Sequence, residues 1–185
     1  TEVRVENAHG STGHWINSYP DVEPNPMFGY GICSNCGFEQ SLSNSGATII
    51  NGGNITAVGG ECGAGIGGGD YGRCGGITIN GGTVTATGGG HSAGIGGGYE
   101  GSGSNITING GTVSATGGKW GAGIGCGYHS TGGTITITGG TINAKGGQNG
   151  AGIGAGSMQT NADVTISGGN TQATGAGACS IGGGN

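Results

Sequence analysis

The chain has 185 residues and a formal net charge of −5, with only four lysines and arginines, so a nucleic-acid backbone would meet no basic stripe and is excluded as a partner. With 54 glycines and 7% charged residues, the composition also excludes an ordinary globular core. Apolar runs are only a few residues long, so no segment inserts in a membrane.

Residues 1–46 lack the repeat that fills the rest of the chain, and they are rich in aromatics, prolines and acids. They are expected to form an irregular cap, because the end of a repetitive stack must be covered by something different. Within them, Cys33-Ser34-Asn35-Cys36-Gly37 is a C-x-x-C-G knuckle. Its two-residue spacer lets both thiolates face one ion while the glycine permits a tight turn. A structural zinc needs two further ligands: His14 is the best third, and Cys62, at the start of the first repeat, leads as the fourth, with Cys74 next. The alternatives are a disulfide, Cys33 to Cys36 or Cys62 to Cys74, favoured in an exported protein, and free thiols.

Residues 47–185 are repetitive. A Gly-Gly turn opens after Asn51, Asn80, Asn109, Thr138 and Ser167, always 29 residues apart, and only the last unit loses a residue. Flexible linkers have no reason to keep such a period. Each unit divides into three short extended runs, seen best as Ile77-Thr78-Ile79, Thr83-Val84-Thr85-Ala86-Thr87 and Ala93-Gly94-Ile95. Alternation of apolar and polar residues predicts half-buried strands. Ile106 and Ile108, Val113 and Ala115, and Ala122 and Ile124 repeat the inward positions, so stacked units would build three aliphatic ladders. The expected fold is all-β: a right-handed parallel β-helix, or solenoid, of five coils of about 29 residues with three short strands each, plus the cap. A strand glycine costs roughly 0.5–1 kcal/mol, and a buried Ile or Val returning roughly 1.5–3 kcal/mol can offset several of them. Cys126 and Cys179 fall in columns of small residues and are expected to be inert core thiols.

On the Ala-Gly-Ile-Gly runs, the alternation turns Gly65, Gly94, Gly123 and Gly152 outward, which predicts a bare backbone floor between two rims of corner residues. Trp120, Tyr99 and Tyr128 offer apolar surface to a sugar ring or to an anchor on a protein, with His91, Glu100 and His129 as hydrogen-bonding neighbours. These six are the candidate ligand-binding residues. The repeats contain as acids only Glu61, Asp70, Glu100 and Asp163; Glu61 and Asp70 share a coil, but no second set reinforces them as general acid and base. No catalytic residue is assigned, and a fragment of a polysaccharide-degrading β-helix enzyme is the rival reading. A further alternative is an ice-binding surface, with Thr78, Thr107, Thr136 and Thr165 in one outward ladder and Thr83, Thr112 and Thr141 in another. Thr85, Ser114 and Asn143 spoil the column beside the second ladder.

The run Gly-Gly-Thr-Val-Thr-Ala-Thr-Gly-Gly followed by Ala-Gly-Ile-Gly-Gly-Gly, at residues 81–98, resembles the Gly-rich repeats of large surface-anchored or secreted proteins of Gram-positive bacteria. The resemblance covers about residues 47–185. Residues 14–37 are similar to a short zinc-ribbon-like module found in the same proteins, through His14, Trp15, Cys33, Cys36 and Gly37, but they lack its lone Cys between Ile16 and Ile32. The resemblance implies a secreted or cell-surface, adhesin-like module, non-catalytic and either carbohydrate-binding or a structural stalk. A glycan or a host or cell-surface protein would be its partner. A start at Thr1 and an end inside a repeat are those expected of part of a longer chain.

Overall fold

The computed structural model describes residues 3–6 and 47–185, apart from 73, 103, 104, 160 and 161. His14, Cys33 and Cys36 of the expected zinc set, and nearly all of the expected cap, lie outside the described residues. Every described element is a strand.

The first coil consists of β2 (Ala47–Ile50), β3 (Asn54–Val58) and β4 (Ile66–Gly67). Four more follow: β5 (Ile77–Ile79), β6 (Thr83–Thr87) and β7 (Ile95–Gly96); β8 (Ile106–Ile108), β9 (Thr112–Thr116) and β10 (Ile124–Gly125); then β11 (Thr134–Ile137), β12 (Thr141–Lys145) and β13 (Ile153–Gly154); and β14 (Asp163–Ile166), β15 (Asn170–Thr174) and β16 (Ile181–Gly182). Like strands of successive coils pair in parallel and make three sheets. The exception is β1 (Val3–Glu6), which pairs antiparallel with β2, Val3 opposite Ile50. The all-β parallel solenoid of five three-stranded coils is therefore the fold.

Registry follows the sequence period. Val84 stands opposite Val113, Ile77 opposite Ile106, and Ile66, Ile95, Ile124 and Ile153 stack in one file. In the last coil Thr141 still pairs with Asn170, but Ile153 pairs with Ile181 rather than with the residue 29 further on, so the missing residue is absorbed in the corner between β15 and β16. Inward positions are dry: Ile77, Ile79, Val84, Ala86 and Ile95 are buried, as are their equivalents in the next two coils. The largest fully buried side chains are all isoleucine, each contributing roughly 1.5–3 kcal/mol. β-branched residues suit this place because the stiff side chain packs on a pleated surface.

The third run of each coil differs from the expected extended strand. Only Ile and Gly remain in the ladder, and the Ala93 N–H donates to the Gly97 carbonyl at 3.0 Å, folding the segment back on itself. The same bond joins Ala64 to Gly68, Ala122 to Cys126 and Ala151 to Ala155. The left-handed φ of +131° at Gly96 permits the reversal. At the first corner, Asn80 donates from Nδ2 to Asn51 Oδ1, and Asn109 from Nδ2 to Asn80 Oδ1, each at 2.8 Å. This amide ladder ends where Thr138 donates its hydroxyl to Asn109 Oδ1.

The last coil is paired on one side only among the described residues, and Ile166 and Ile181 are exposed there. Cys179 is exposed as well, which corrects the expectation of a core thiol: its column is dry only where a coil covers it. Cys126, in the third coil, is buried, and burial pushes its thiol pKa up.

Candidate functional site

The floor expected from the glycine alternation is closed. Residues 63–69, 92–98, 121–127 and 150–156 are buried throughout, and a Cβ built on Gly65 would meet the Gly94 oxygen and the Thr87 nitrogen, both at 2.7 Å. The fold-back explains this: a segment that reverses within five residues packs its bare face against the neighbouring backbone instead of presenting it to solvent.

The same reversal brings the two rims together. The Tyr99 N–H donates to the Cys62 carbonyl at 3.1 Å, Tyr128 N–H to His91 at 2.7 Å, and Ser157 N–H to Trp120 at 2.8 Å. The corner after the turn in one coil is thereby stitched to the corner before it in the preceding coil. One ridge results. Along it Tyr71 meets Tyr99 edge-on with ring centroids 5.6 Å apart, Tyr99 stacks on Tyr128 at 5.7 Å, and Trp120 lies 5.7 Å from Tyr128. His91 sits between the columns, 5.3 Å from Tyr99 and 5.9 Å from Tyr128, and His129 packs edge-on against Tyr128 at 4.4 Å.

Five of the six candidate binding residues, Trp120, Tyr99, Tyr128, His91 and His129, are therefore in one chain of ring contacts, and Glu100 joins it through a hydrogen bond with the Tyr99 side chain. That bond, ahead of burial and the carboxylate charge, holds the Tyr99 phenol well above its ordinary pKa. The stacking also directs what the ridge offers. Tyr99 and Tyr128 turn faces toward each other, and the Lys119 ammonium lies 4.7 Å from the Trp120 ring centroid. Tyr71, outside the original set, is more open to solvent than Tyr99, Tyr128 or Trp120, at 63% exposure.

Charge gathers at the first-coil end. Glu61 Oε1 lies 3.6 Å from His91 Nδ1, beyond hydrogen-bond reach. Asp70 has one buried oxygen without a partner, and burial, then the Glu100 charge, raises its pKa against a smaller lowering by His91. Cys62 is half-buried and carries a free thiol, so it is not bridged to Cys74. Burial, then the Asp70 and Glu61 charges, push its pKa up. No group of three or more His, Cys, Asp or Glu is placed to hold a metal among the described residues.

Elsewhere, a cleft of about 390 Å³ is lined by Asn105, Gly132, Gly133, Thr134 and Asp163, none of them on the ridge. The threonine columns run in register, but Thr78, Thr107 and Thr136 are half-buried, and on β12 the exposed positions also hold Asn143 and Lys145. Tyr71 and Met158 belong to the expected rim but stand outside the six candidates, although they share the column of Glu100 and His129, 29 residues apart.

Comparison with known proteins agrees with this architecture. Neither curated proteins nor solved structures returns a match. A family model described as Beta helix repeat matches residues 49–70, 77–99, 106–128, 135–157 and 164–185, each match starting in the first sheet and ending at or near the ridge. These five stretches cover more than half of the sequence, and the chain belongs to the Beta helix repeat family.

Proposed function

We propose that this chain is a non-catalytic, adhesin-like solenoid module of a secreted or cell-surface protein, and that its aromatic ridge binds carbohydrate. The observation that carries this reading is the unbroken run of ring contacts from Tyr71 through Tyr99 and Tyr128 to Trp120 across successive coils. Aromatic edges and faces suit the C–H surfaces of sugars, and the phenols, imidazoles and Glu100 beside them suit sugar hydroxyls. A stack of coils in fixed register keeps these groups at constant spacing, which lowers the ordering cost of binding. Glu61 is solvent-exposed and no second set of acids in the repeats reinforces it and Asp70, so the reading assigns them no paired acid and base roles.

A glycan array followed by calorimetry tests the proposal. The expected result is retention of a defined glycan class by the full chain, with affinity falling at least about tenfold in Trp120→Ala and Tyr71→Ala variants that keep the wild-type unfolding midpoint. Glycan turnover abolished in Asp70→Ala would overturn it in favour of the enzyme reading. The expected structural zinc on His14, Cys33, Cys36 and Cys62 belongs to the same proposal and is read by metal analysis with a thiol count; about three thiols freed on chelation support it.

A further inference from the structure

Three columns of the repeat hold left-handed backbone. Two are glycine in every coil: Gly53, Gly82, Gly111, Gly140 and Gly169 in the first, and Gly67, Gly96, Gly125, Gly154 and Gly182 in the second. The third is Tyr71, Glu100, His129 and Met158, with φ of 51°, 46°, 52° and 63°. It is never glycine, in a chain with 54 of them.

Left-handed φ is disfavoured for residues with a Cβ and unstrained for glycine. Here the coil above holds it in place: the N–H groups of Tyr71, Glu100, His129 and Met158 donate to the carbonyls of Tyr99, Tyr128, Ser157 and Asn185 at 2.8, 2.9, 3.4 and 2.8 Å. Glycine would keep that ladder and relieve the strain. Core packing does not account for the side chains, because all four residues are exposed, Met158 at 62%. Strain kept where the structure does not require it points to use of the side chain.

We infer that Tyr71, Glu100, His129 and Met158 form the ligand-contacting crest of the ridge, one side chain per coil, and that the ligand is an extended oligosaccharide lying along the solenoid axis. This inference rests on the carbohydrate reading above and adds the contact residues, the direction and the length. Parallel strands rise about 4.8 Å per coil, close to the advance per sugar of an extended glycan, so successive coils meet successive sugars. The crest changes from phenol to carboxylate to imidazole to thioether along its length. A ligand is thereby held in one register instead of sliding.

The test replaces each crest residue by Ala and by Gly in the full chain and measures both unfolding and binding of linear β-linked oligosaccharides, from a monosaccharide to a hexasaccharide. At Glu100 and Met158 the Gly variant is expected to unfold at higher denaturant than the Ala variant, since Ala keeps the strain and Gly removes it. Wild-type affinity should grow with each sugar up to the tetrasaccharide and then level off. The variant with Glu100, His129 and Met158 all changed to Gly should stay folded and bind at least about tenfold more weakly. Wild-type binding that is unchanged in that variant, or independent of glycan length, overturns the crest and leaves the ridge reading standing. No binding of any glycan by the wild type overturns both. Gly variants no more stable than their Ala counterparts overturn the strain argument by themselves.

Discussion

Two kinds of left-handed corner recur along the solenoid, and they tolerate different residues. At Gly96 an added Cβ would land on the Gly125 carbonyl oxygen, and at Gly82 it would meet the Gly53 oxygen at 2.6 Å. At Tyr71, Glu100, His129 and Met158 the backbone has the same sign of φ, but the side chains leave toward solvent. Coil-to-coil spacing makes glycine obligatory in the first kind, whereas in the second only the torsional term opposes a side chain, at about 1–2 kcal/mol. A repeat protein can therefore vary its crest while keeping its turns invariant.

The most damaging way to break this contrast is Gly96→Ala, which adds a steric conflict with the next coil to a φ of +131°. A loss of about 3–5 kcal/mol is expected, read from the shift in denaturant midpoint. Gly82→Ala, with its nearest conflict at 2.6 Å, should cost less, about 2–3 kcal/mol. Met158→Gly should go the other way and stabilise by about 1 kcal/mol, because its left-handed backbone carries a side chain that is largely exposed. His129→Gly should be close to neutral, since the loss of its packing on Tyr128 offsets the relief of strain.

Smaller effects come from the charges beside the crest. Asp70 holds its proton more tightly in the folded chain than in the unfolded one, so its contribution to stability is present below the ordinary carboxylate pKa and is lost as pH rises through the elevated value. Asp70→Asn should flatten that decline in a series of unfolding curves across the acidic range. Glu100→Gly should return the Tyr99 phenol toward its ordinary range, seen as a downward shift in the ultraviolet titration of tyrosine.

Much of the fold was legible because burial in a solenoid repeats with the sequence. Ile77 and Ile79, Val84 and Ala86, and Ala93 and Ile95 all lie where alternation put them. The third run was misread in one respect: alternation alone assigns Gly94 to an outer face, but that rule assumes an extended strand, and the bond from Ala93 to Gly97 makes the segment a turn. Cys179 was misread for a related reason, since its column is buried in inner coils and exposed in the last. The ridge was half legible. Its residues stood out as the varied corners of an otherwise regular repeat, but two rims on either side of a floor and one ridge over a closed turn have the same sequence.

By itself, the sequence determined the period, the identity of the three stacked ladders and the parallel solenoid, because each follows from like residues meeting like at a constant spacing. Only the tertiary structure decided which glycines are enclosed, that Tyr99 stacks on Tyr128, and that Tyr71, Glu100, His129 and Met158 share a left-handed backbone. Those features depend on the sign of φ and on contacts between coils, and neither is encoded in the alternation of apolar and polar residues along one strand.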